Sequence, residues 1–208
     1  SAMMGFAVAV MLLCLVLTYS RGMWLSLAVA VFVAGICVER RLLYALLAVP
    51  LVLFFYHGEV SSRLWSLFSG QDTSVMLRWA LWDSTMYMIE DFPIFGIGWD
   101  TFWMTYPDYN YFIQDPTVII YHAHNLYLQV AAETGPISLC LLLAILLGHS
   151  RNVQKQKHLS IPFRYGMTLI TVVVLVSGLF DHALYSQQVS LVLWQFLGFA
   201  MSVIRNKI

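Results

Sequence analysis

Residues 121–129 read Tyr-His-Ala-His-Asn-Leu-Tyr-Leu-Gln, and they hold the side chains best suited to acid–base chemistry in this chain. A neutral imidazole of His124 or His122 can take a proton from a hydroxyl nucleophile. We expect His122 to open a helix, on which histidines two positions apart point about 200° away from each other. No third ligand stands near them at metal spacing, so the sequence predicts no metal site.

Three arginines, Arg21, Arg63 and Arg78, lie outside the groups of basic residues that mark cytoplasmic segments. A planar guanidinium binds a phosphate or a carboxylate through two parallel hydrogen bonds, which lysine cannot do. These arginines are therefore candidates for holding an anionic ligand. Pairing with the carboxylates of the same region is the alternative, because residues 57–136 contain nine of the eleven acidic residues.

Aromatic residues are dense between Trp99 and Tyr121, where Asp and Asn residues interrupt them. Such a mixture is typical of sugar binding, in which a ring stacks on the C–H face of a sugar and polar groups bind its hydroxyls. An aromatic belt at a membrane interface is the more frequent alternative.

Two further places offer an acid or a base, namely Glu133 and the pair Asp181-His182. We expect His149 and His158 to be bystanders, because they fall in a segment rich in Lys and Arg. The three cysteines fit neither a disulfide framework nor a zinc site and are expected to be small buried apolar residues: Cys14, Cys37 and Cys140.

The composition of the chain indicates the class of protein in which these residues lie. Hydrophobic residues make up 60% of the chain and charged residues only 11%. Repeated apolar runs, near the roughly 20 residues that cross about 30 Å of hydrocarbon, indicate a polytopic membrane protein instead of a soluble domain. No basic patch with interleaved aromatic residues occurs, so we expect no nucleic-acid partner.

Apolar length predicts six membrane spans, at 3–19, 22–38, 42–56, 130–148, 165–180 and 189–204. We expect the first run, from Met3, to be retained and not cleaved. Eight of the eleven basic residues lie at 39–41, at 149–164 and in the C-terminal tail. The positive-inside rule makes these segments cytoplasmic and places residues 57–129 outside.

The predicted fold is therefore an all-α polytopic membrane protein of about six transmembrane helices with one large extracytoplasmic loop that contains short helices. We expect three transmembrane helices in residues 1–56, the loop at 57–129 and three more transmembrane helices at 130–208. Within the loop, apolar spacing predicts a helix over 74–90 that lies in the membrane interface. Residues 100–121 show little periodicity and are expected to form a loop with short helices.

Three signatures in order resemble the O-antigen ligase and polymerase family of bacterial membrane glycosyltransferases. They are Ser20-Arg21-Gly22, then Arg78-Trp79 followed by Asp91-Phe92-Pro93 and Gly96-Ile97-Gly98-Trp99-Asp100, then His122-Ala123-His124-Asn125-Leu126-Tyr127-Leu128-Gln129 followed by Glu133-Thr134-Gly135. The resemblance covers residues 18–145 and extends to the last two spans only by hydropathy. Family members usually have more spans, so the chain resembles a C-terminal half.

The resemblance implies an integral-membrane enzyme, similar to glycosyltransferases of the GT-C type, in the bacterial cytoplasmic (inner) membrane. Such an enzyme moves a glycan from an undecaprenyl diphosphate carrier to an acceptor hydroxyl on the extracytoplasmic face, without a cofactor or metal. Its partners would be the lipid-linked glycan, a lipid or glycan acceptor and membrane lipids. Ligase, polymerase and protein-glycosylating forms share these signatures.

The resemblance also implies roles for individual residues. Arg21 and Arg78 would hold the diphosphate, and His124 would act as the base or orient the acceptor. Support and substrate binding would come from the remaining residues of the signatures: His122, Asn125, Trp99, Asp100 and Tyr127.

Two other classes of protein remain open. A transporter or channel would line a path with charges in mid-span, whereas the charges of this chain cluster at the ends of spans and in one loop. A non-catalytic assembly subunit of a polysaccharide export system would use the large loop to bind a partner.

Overall fold

The structure, a computed structural model, describes residues 2–44, 46–47, 73–112 and 118–206. Regular structure in these residues is helical throughout, and they contain no strand, which confirms the predicted all-α class for them. The chain divides into two compact units, Ser1–Asp72 and Thr73–Ile208. Arg63 and most of the predicted span 42–56 lie outside the described residues.

The first unit contains two apolar helices, α1 (Ala2–Leu17) and α2 (Arg21–Cys37). A tight turn joins them, in which Tyr19 adopts a left-handed backbone conformation with φ of +52°. The indole N–H of Trp24 donates to the Leu15 carbonyl over 3.0 Å and ties α2 to the end of α1. Arg21 is the first residue of α2, directly after this turn.

Residues 42–44 and 46–47 of the first unit are also helical. The second unit contains the helices that follow residue 72. In chain order they are α3 (Thr73–Asp91), α4 (Phe102–Thr105), a 3₁₀ helix (Tyr106–Tyr109), α5 (Leu126–Thr134), α6 (Pro136–Lys155), α7 (Ile161–Ser177), a second 3₁₀ helix (Ala183–Tyr185) and α8 (Gln187–Asn206). The predicted helix at 74–90 and the predicted short helices after residue 100 are confirmed.

Two helices, α6 and α8, are long and apolar enough to cross a membrane. The apolar helices α1, α2 and α7 are shorter. Large apolar side chains on α6 and α8, such as Leu141, Trp194 and Phe199, are exposed, as lipid-facing residues would be. The six-span topology and its orientation stay predictions.

Two expectations about apolar residues are wrong. The cysteines are exposed on α1, α2 and α6 instead of buried, since a helix that faces lipid needs no protein cover for small apolar side chains. The predicted span 130–148 is two helices, because Gly135 adopts φ of +87° and ends α5. The membrane-length helix begins only at Pro136.

Three apolar clusters hold the second unit together. The first lies between α3, α4 and the segment before α5, and its buried members are Leu81, Met88, Phe102, Tyr106 and Ala123. The other two join α6 to α8 and α7: Leu146 with Leu193 and Leu197, and Val153 with Met167 and Ala200. The first cluster therefore supports the backbone on which His122 and His124 stand.

Candidate active site

The two histidines precede α5 and are not part of it. Asn125 is the N-cap of α5, and its side-chain oxygen accepts hydrogen bonds from the amides of Tyr127 and Leu128 at 3.0 and 3.1 Å. The expectation that His122 opens a helix is therefore wrong, because the asparagine cap starts the helix only at Leu126.

Ala123, between the histidines, is completely buried and is held at both backbone polar groups. Its N–H donates to the Gln129 side-chain oxygen over 2.7 Å, and its carbonyl accepts from the Trp82 indole over 3.0 Å. The segment is not helical, and His124 adopts a left-handed backbone conformation with φ of +50°. The His122 and His124 rings lie side by side, with centroids 4.3 Å apart.

The start of α5 docks on the end of α7. The Leu126 amide donates to the Gly178 carbonyl over 2.7 Å, and the Asn125 side-chain N–H donates to Leu179 over 3.4 Å. The Tyr127 hydroxyl donates to the Leu175 carbonyl. This docking brings the loop after α7, with Asp181 and His182, to the two histidines.

Four side chains thus form one cluster, which we call the histidine cluster: His122, His124, Asp181 and His182. Asp181 Oδ1 lies 2.8 Å from Nδ1 of His182 and 3.9 Å from Nδ1 of His124. The His122 ring stacks on that of His182 with centroids 3.4 Å apart. One carboxylate oxygen therefore faces two imidazoles, with the third imidazole packed against both.

The cluster could also hold a metal ion. Each of its four residues offers one ligand atom, and these atoms all lie within 4.8 Å of one another. The expectation that no third ligand lies near His122 and His124 is therefore wrong. Asp181 and His182 are distant in sequence but lie beside the two histidines in the folded protein.

Burial and neighbouring groups give the residues of the histidine cluster different protonation states. Burial, followed by the neighbouring imidazoles of His182 and His124, lowers the pKa of His122 to about 4. The imidazoles of His124 and His182 hold the pKa of Asp181 well below its ordinary value. His122 is therefore neutral and Asp181 ionised near pH 7. His124 has 40% of its side chain exposed, so a substrate can reach it.

The glycine-rich loop after Pro93 closes the C-terminal end of α5. The amides of Ile97 and Gly98 donate to the carbonyls of Ala132 and Glu133, each over 2.9 Å. A Cβ on Gly96 would lie 2.5 Å from the Ala132 carbonyl oxygen, so only glycine fits this close approach. The buried Glu133 carboxylate accepts from the Phe102 amide over 3.1 Å. The signature Gly96-Ile97-Gly98 and the signature Glu133-Thr134-Gly135 therefore contact each other.

Tyr185 connects this contact to the histidine cluster, and it belongs to none of the sequence motifs that pointed to a site. Its ring stacks on exposed Trp99 with centroids 4.5 Å apart and lies 6.2 Å from His182. Burial and the nearby Glu133 carboxylate raise the pKa of Tyr185 far above its ordinary value.

The predicted site residues are placed as follows. His122 and His124 belong to the histidine cluster, and Asn125 and Tyr127 follow them at the start of α5. The side chain of Asn125 is buried, and its oxygen already accepts the capping hydrogen bonds of α5. Trp99 reaches the cluster through Tyr185, and the adjacent Asp100 is exposed with φ of +60°.

Arg78 lies on α3 one turn before Trp82, which bonds Ala123. Residues four apart on a helix are surface neighbours, so Arg78 belongs to the face that approaches the histidines. It is half-buried, and within the described ranges it makes no ion pair. Arg21 belongs to the first unit.

Sequence reasoning singled out neither Trp82 nor Gln129 as a residue of the site. Both act through the backbone of Ala123 and present no reactive group to a ligand. Gln129 stands inside the third resemblance signature, whereas Trp82 belongs to none of the three.

Comparison with known proteins decides the family. A family model described as O-antigen ligase matches residues 6–143, which is more than half of the chain. The chain belongs to the O-antigen ligase family. No curated protein and no solved structure matches it.

O-antigen ligases are bacterial membrane proteins that act on lipid-linked glycans, and the family carries out glycan transfer of the ligase or polymerase type. The matched residues include His122 and His124, whereas Asp181 and His182 lie beyond them. The two halves of the histidine cluster thus come from inside and outside the part that defines the family.

Proposed function

We propose that this protein transfers a glycan from an undecaprenyl diphosphate carrier to an acceptor hydroxyl on the outer face of the cytoplasmic membrane. Membership of the O-antigen ligase family supports transfer from a lipid-linked donor. The carrier, the face of the membrane and the independence from metal are part of the proposal.

The chemistry needs two things from the protein. A sugar on a diphosphate already has a good leaving group, so the enzyme must stabilise the charge that develops on it and must deprotonate the acceptor hydroxyl. Fixed guanidinium groups in a partly dry site supply the first. A positioned imidazole supplies the second, which is typically worth about 10²–10⁴-fold.

The observation that carries the proposal is the approach of Asp181 to half-exposed His124. A carboxylate beside one ring nitrogen favours a proton there, which leaves the other nitrogen free to accept a proton from the acceptor hydroxyl. It also stabilises the imidazolium that this transfer forms. His124 is therefore the proposed base, and Asp181 orients it.

His182 is the second candidate for the base, because its Nδ1 lies closer to Asp181, at 2.8 Å. Only 25% of its side chain is exposed, and one face is covered by the His122 ring. His124 is therefore favoured as the base, because an acceptor can reach it more easily. The shorter contact with Asp181 favours His182 as the residue that holds this carboxylate in place.

Arg78 and Arg21 are the proposed diphosphate ligands. Arg78 is supported by its position one turn before the Trp82 that contacts the histidine segment. Arg21 is supported by its place at the turn between two apolar helices, where a lipid diphosphate would be met.

The remaining predicted residues are proposed to bind or to support substrate binding. The free face of exposed Trp99, with Asp100 beside it, suits a sugar ring and its hydroxyls. His122 contributes a neutral imidazole, whereas Asn125 and Tyr127 act by fixing the start of α5.

A transfer assay in membranes tests the proposal, with a defined glycan on undecaprenyl diphosphate and a choice of acceptors. We expect His124→Ala, Arg78→Ala and Arg21→Ala each to abolish transfer at normal membrane levels. His158→Ala is the matched control, since His158 is exposed and lies apart from the cluster.

The acceptor that is used separates the forms of the reaction. Transfer to a lipid core indicates a ligase, growth of the glycan indicates a polymerase, and transfer to a protein indicates a glycosylating enzyme. Unchanged products from both His124→Ala and Arg78→Ala would reject catalysis and favour a partner-binding subunit.

A further inference from the structure

We propose that His122, His124, Asp181 and His182 bind one divalent transition-metal ion, such as Zn²⁺, and that the bound ion inhibits glycan transfer. The binding half of this proposal stands on the geometry of the cluster alone. The inhibition half rests on the proposed function, because it concerns the base of that reaction.

The donor atoms select the class of ion. Three imidazoles and one carboxylate are the ligand types that Zn²⁺, Co²⁺ and Cu²⁺ prefer, whereas Mg²⁺ and Ca²⁺ prefer sites built from oxygen atoms. The ligand atoms lie within 4.8 Å of one another. Ligands on tetrahedral zinc, at bond lengths of about 2.0–2.1 Å, stand roughly 3.4 Å apart, so the side chains must close by about 1.4 Å or less.

The side chains are partly exposed, so they can turn toward one ion while hydrogen bonds hold the backbone beneath them. All four residues are half-buried, with 25% of the His182 side chain and 40% of the Asp181 side chain exposed. Ala123 is fixed at its N–H and its carbonyl by Gln129 and Trp82. The Leu126 amide holds the second segment through Gly178.

Proton transfer uses only part of this cluster. A base and its orienting group account for one imidazole and one carboxylate, yet three imidazoles crowd together, two of them stacked at 3.4 Å. A metal ion would give the other two imidazoles a common partner, because each ring has one nitrogen lone pair that can bind it.

Inhibition follows from the chemistry of the lone pair. A neutral imidazole has one unprotonated nitrogen, and metal ligation takes that nitrogen. The other nitrogen then carries the ring proton, so neither nitrogen can accept a proton from the acceptor hydroxyl. While the ion is bound, His124 cannot take a proton. Removal of the ion restores the base, so the inhibition is reversible.

Direct binding is measured first, on protein in lipid nanodiscs that carries no histidine affinity tag and has been treated with a chelator. Titration with Co²⁺ should produce visible ligand-field absorption that saturates at one ion per chain, and Zn²⁺ should displace the Co²⁺. Mg²⁺ at the same concentration should displace nothing.

Variants assign the binding to the cluster. His122→Ala with His182→Ala removes two ligands, so it should weaken Co²⁺ binding by more than the roughly 10–100-fold that loss of an outer-shell partner costs. His158→Ala removes an exposed histidine elsewhere and should bind as the unchanged protein does. The thermal midpoint of each metal-free variant checks its fold, and Asp181→Asn provides a second, milder variant. Equal binding in all variants, or no Co²⁺ absorption in the unchanged protein, overturns the metal site.

Inhibition is measured in the transfer assay with buffered free Zn²⁺. Transfer should fall as Zn²⁺ rises and should return when a chelator is added. Loss of transfer on chelation, with recovery on Zn²⁺, overturns the inhibition half. The Co²⁺ titration needs no transfer, so failure of the proposed function and failure of the metal site are told apart.

Discussion

Trp82 donates its indole N–H to the carbonyl oxygen of Ala123 over 3.0 Å. This bond joins α3, which carries Arg78, to the backbone between His122 and His124. The helix that carries the proposed diphosphate ligand is therefore tied to the segment that carries the proposed base.

We predict that Trp82→Phe lowers both stability and transfer. Phe retains an aromatic ring but lacks the donor, which leaves the carbonyl of fully buried Ala123 without that partner, at a cost of about 1–3 kcal/mol. Thermal unfolding in nanodiscs and the transfer rate measure the two effects. Trp79→Phe, at an exposed tryptophan, is the matched control. An unchanged thermal midpoint in Trp82→Phe would show that this bond does not hold the site.

Asp181→Asn should reduce the transfer rate by about 10²–10⁴-fold, because the amide cannot stabilise an imidazolium at His124 or His182. The loss should appear in kcat more than in KM, and the pH dependence of transfer should change. Asp108→Asn, at an exposed carboxylate, is the control. An Asp181→Asn protein with the rate and pH profile of the unchanged protein would remove the orienting role.

His122 predicts how stability depends on pH. Its pKa is lowered to about 4 in the folded protein by burial and by its neighbours His182 and His124, with Asp181 opposing them. Between pH 7 and pH 5 His122 therefore becomes protonated in the unfolded chain but stays neutral in the folded protein. The free energy of unfolding falls as the pH falls. The Asp181 carboxyl adds to this loss only at lower pH, since its pKa is also lowered.

The measurement is the thermal midpoint at pH 7 and at pH 5. The drop should be smaller in His122→Asn, which has no titrating ring, than in the unchanged protein or in His158→Asn. Equal drops in all three would show that His122 does not have the lowered pKa.

Much of the helical pattern could be predicted because it depends on local spacing. The helix over 74–90 follows from apolar periodicity and is present. The family, too, was visible in short signatures, and the match over 6–143 confirms it.

The geometry of the histidine cluster could not be predicted in the same way. His122 and His124 lie side by side in a non-helical segment, where Gln129 and Trp82 hydrogen-bond the backbone of Ala123 and His124 adopts φ of +50°. Asp181 and His182 join them because residues as far apart as Asn125 and Leu179, 54 positions in sequence, are in contact. Such contacts leave no periodic mark in the sequence.

Gly135→Ala should destabilise the second unit strongly. Gly135 has φ of +87°, and a Cβ there would lie 1.9 Å from the carbonyl oxygen of Ile94, so both strain and a clash oppose alanine. We expect a loss above the roughly 1–3 kcal/mol of backbone strain alone. Gly166→Ala, in helix α7 with no atom within 4 Å of the new Cβ, should leave the thermal midpoint unchanged or slightly higher. Equal midpoints for the two variants would contradict the close contact of Gly135 with the Pro93 loop.

Arg78→Lys should lose most of its transfer activity although the positive charge is kept. A guanidinium binds two diphosphate oxygens at once with a fixed planar geometry, whereas an ammonium is a point charge that cannot make this paired contact. The defect should appear as weaker binding of the lipid-linked donor, with the affinity for acceptor unchanged. Arg151→Lys, at an exposed arginine in the last turns of α6, is the matched control. If Arg78→Lys transfers glycan at the unchanged rate while Arg78→Ala does not, charge alone is sufficient, and the two-pronged contact with diphosphate is not the role of Arg78.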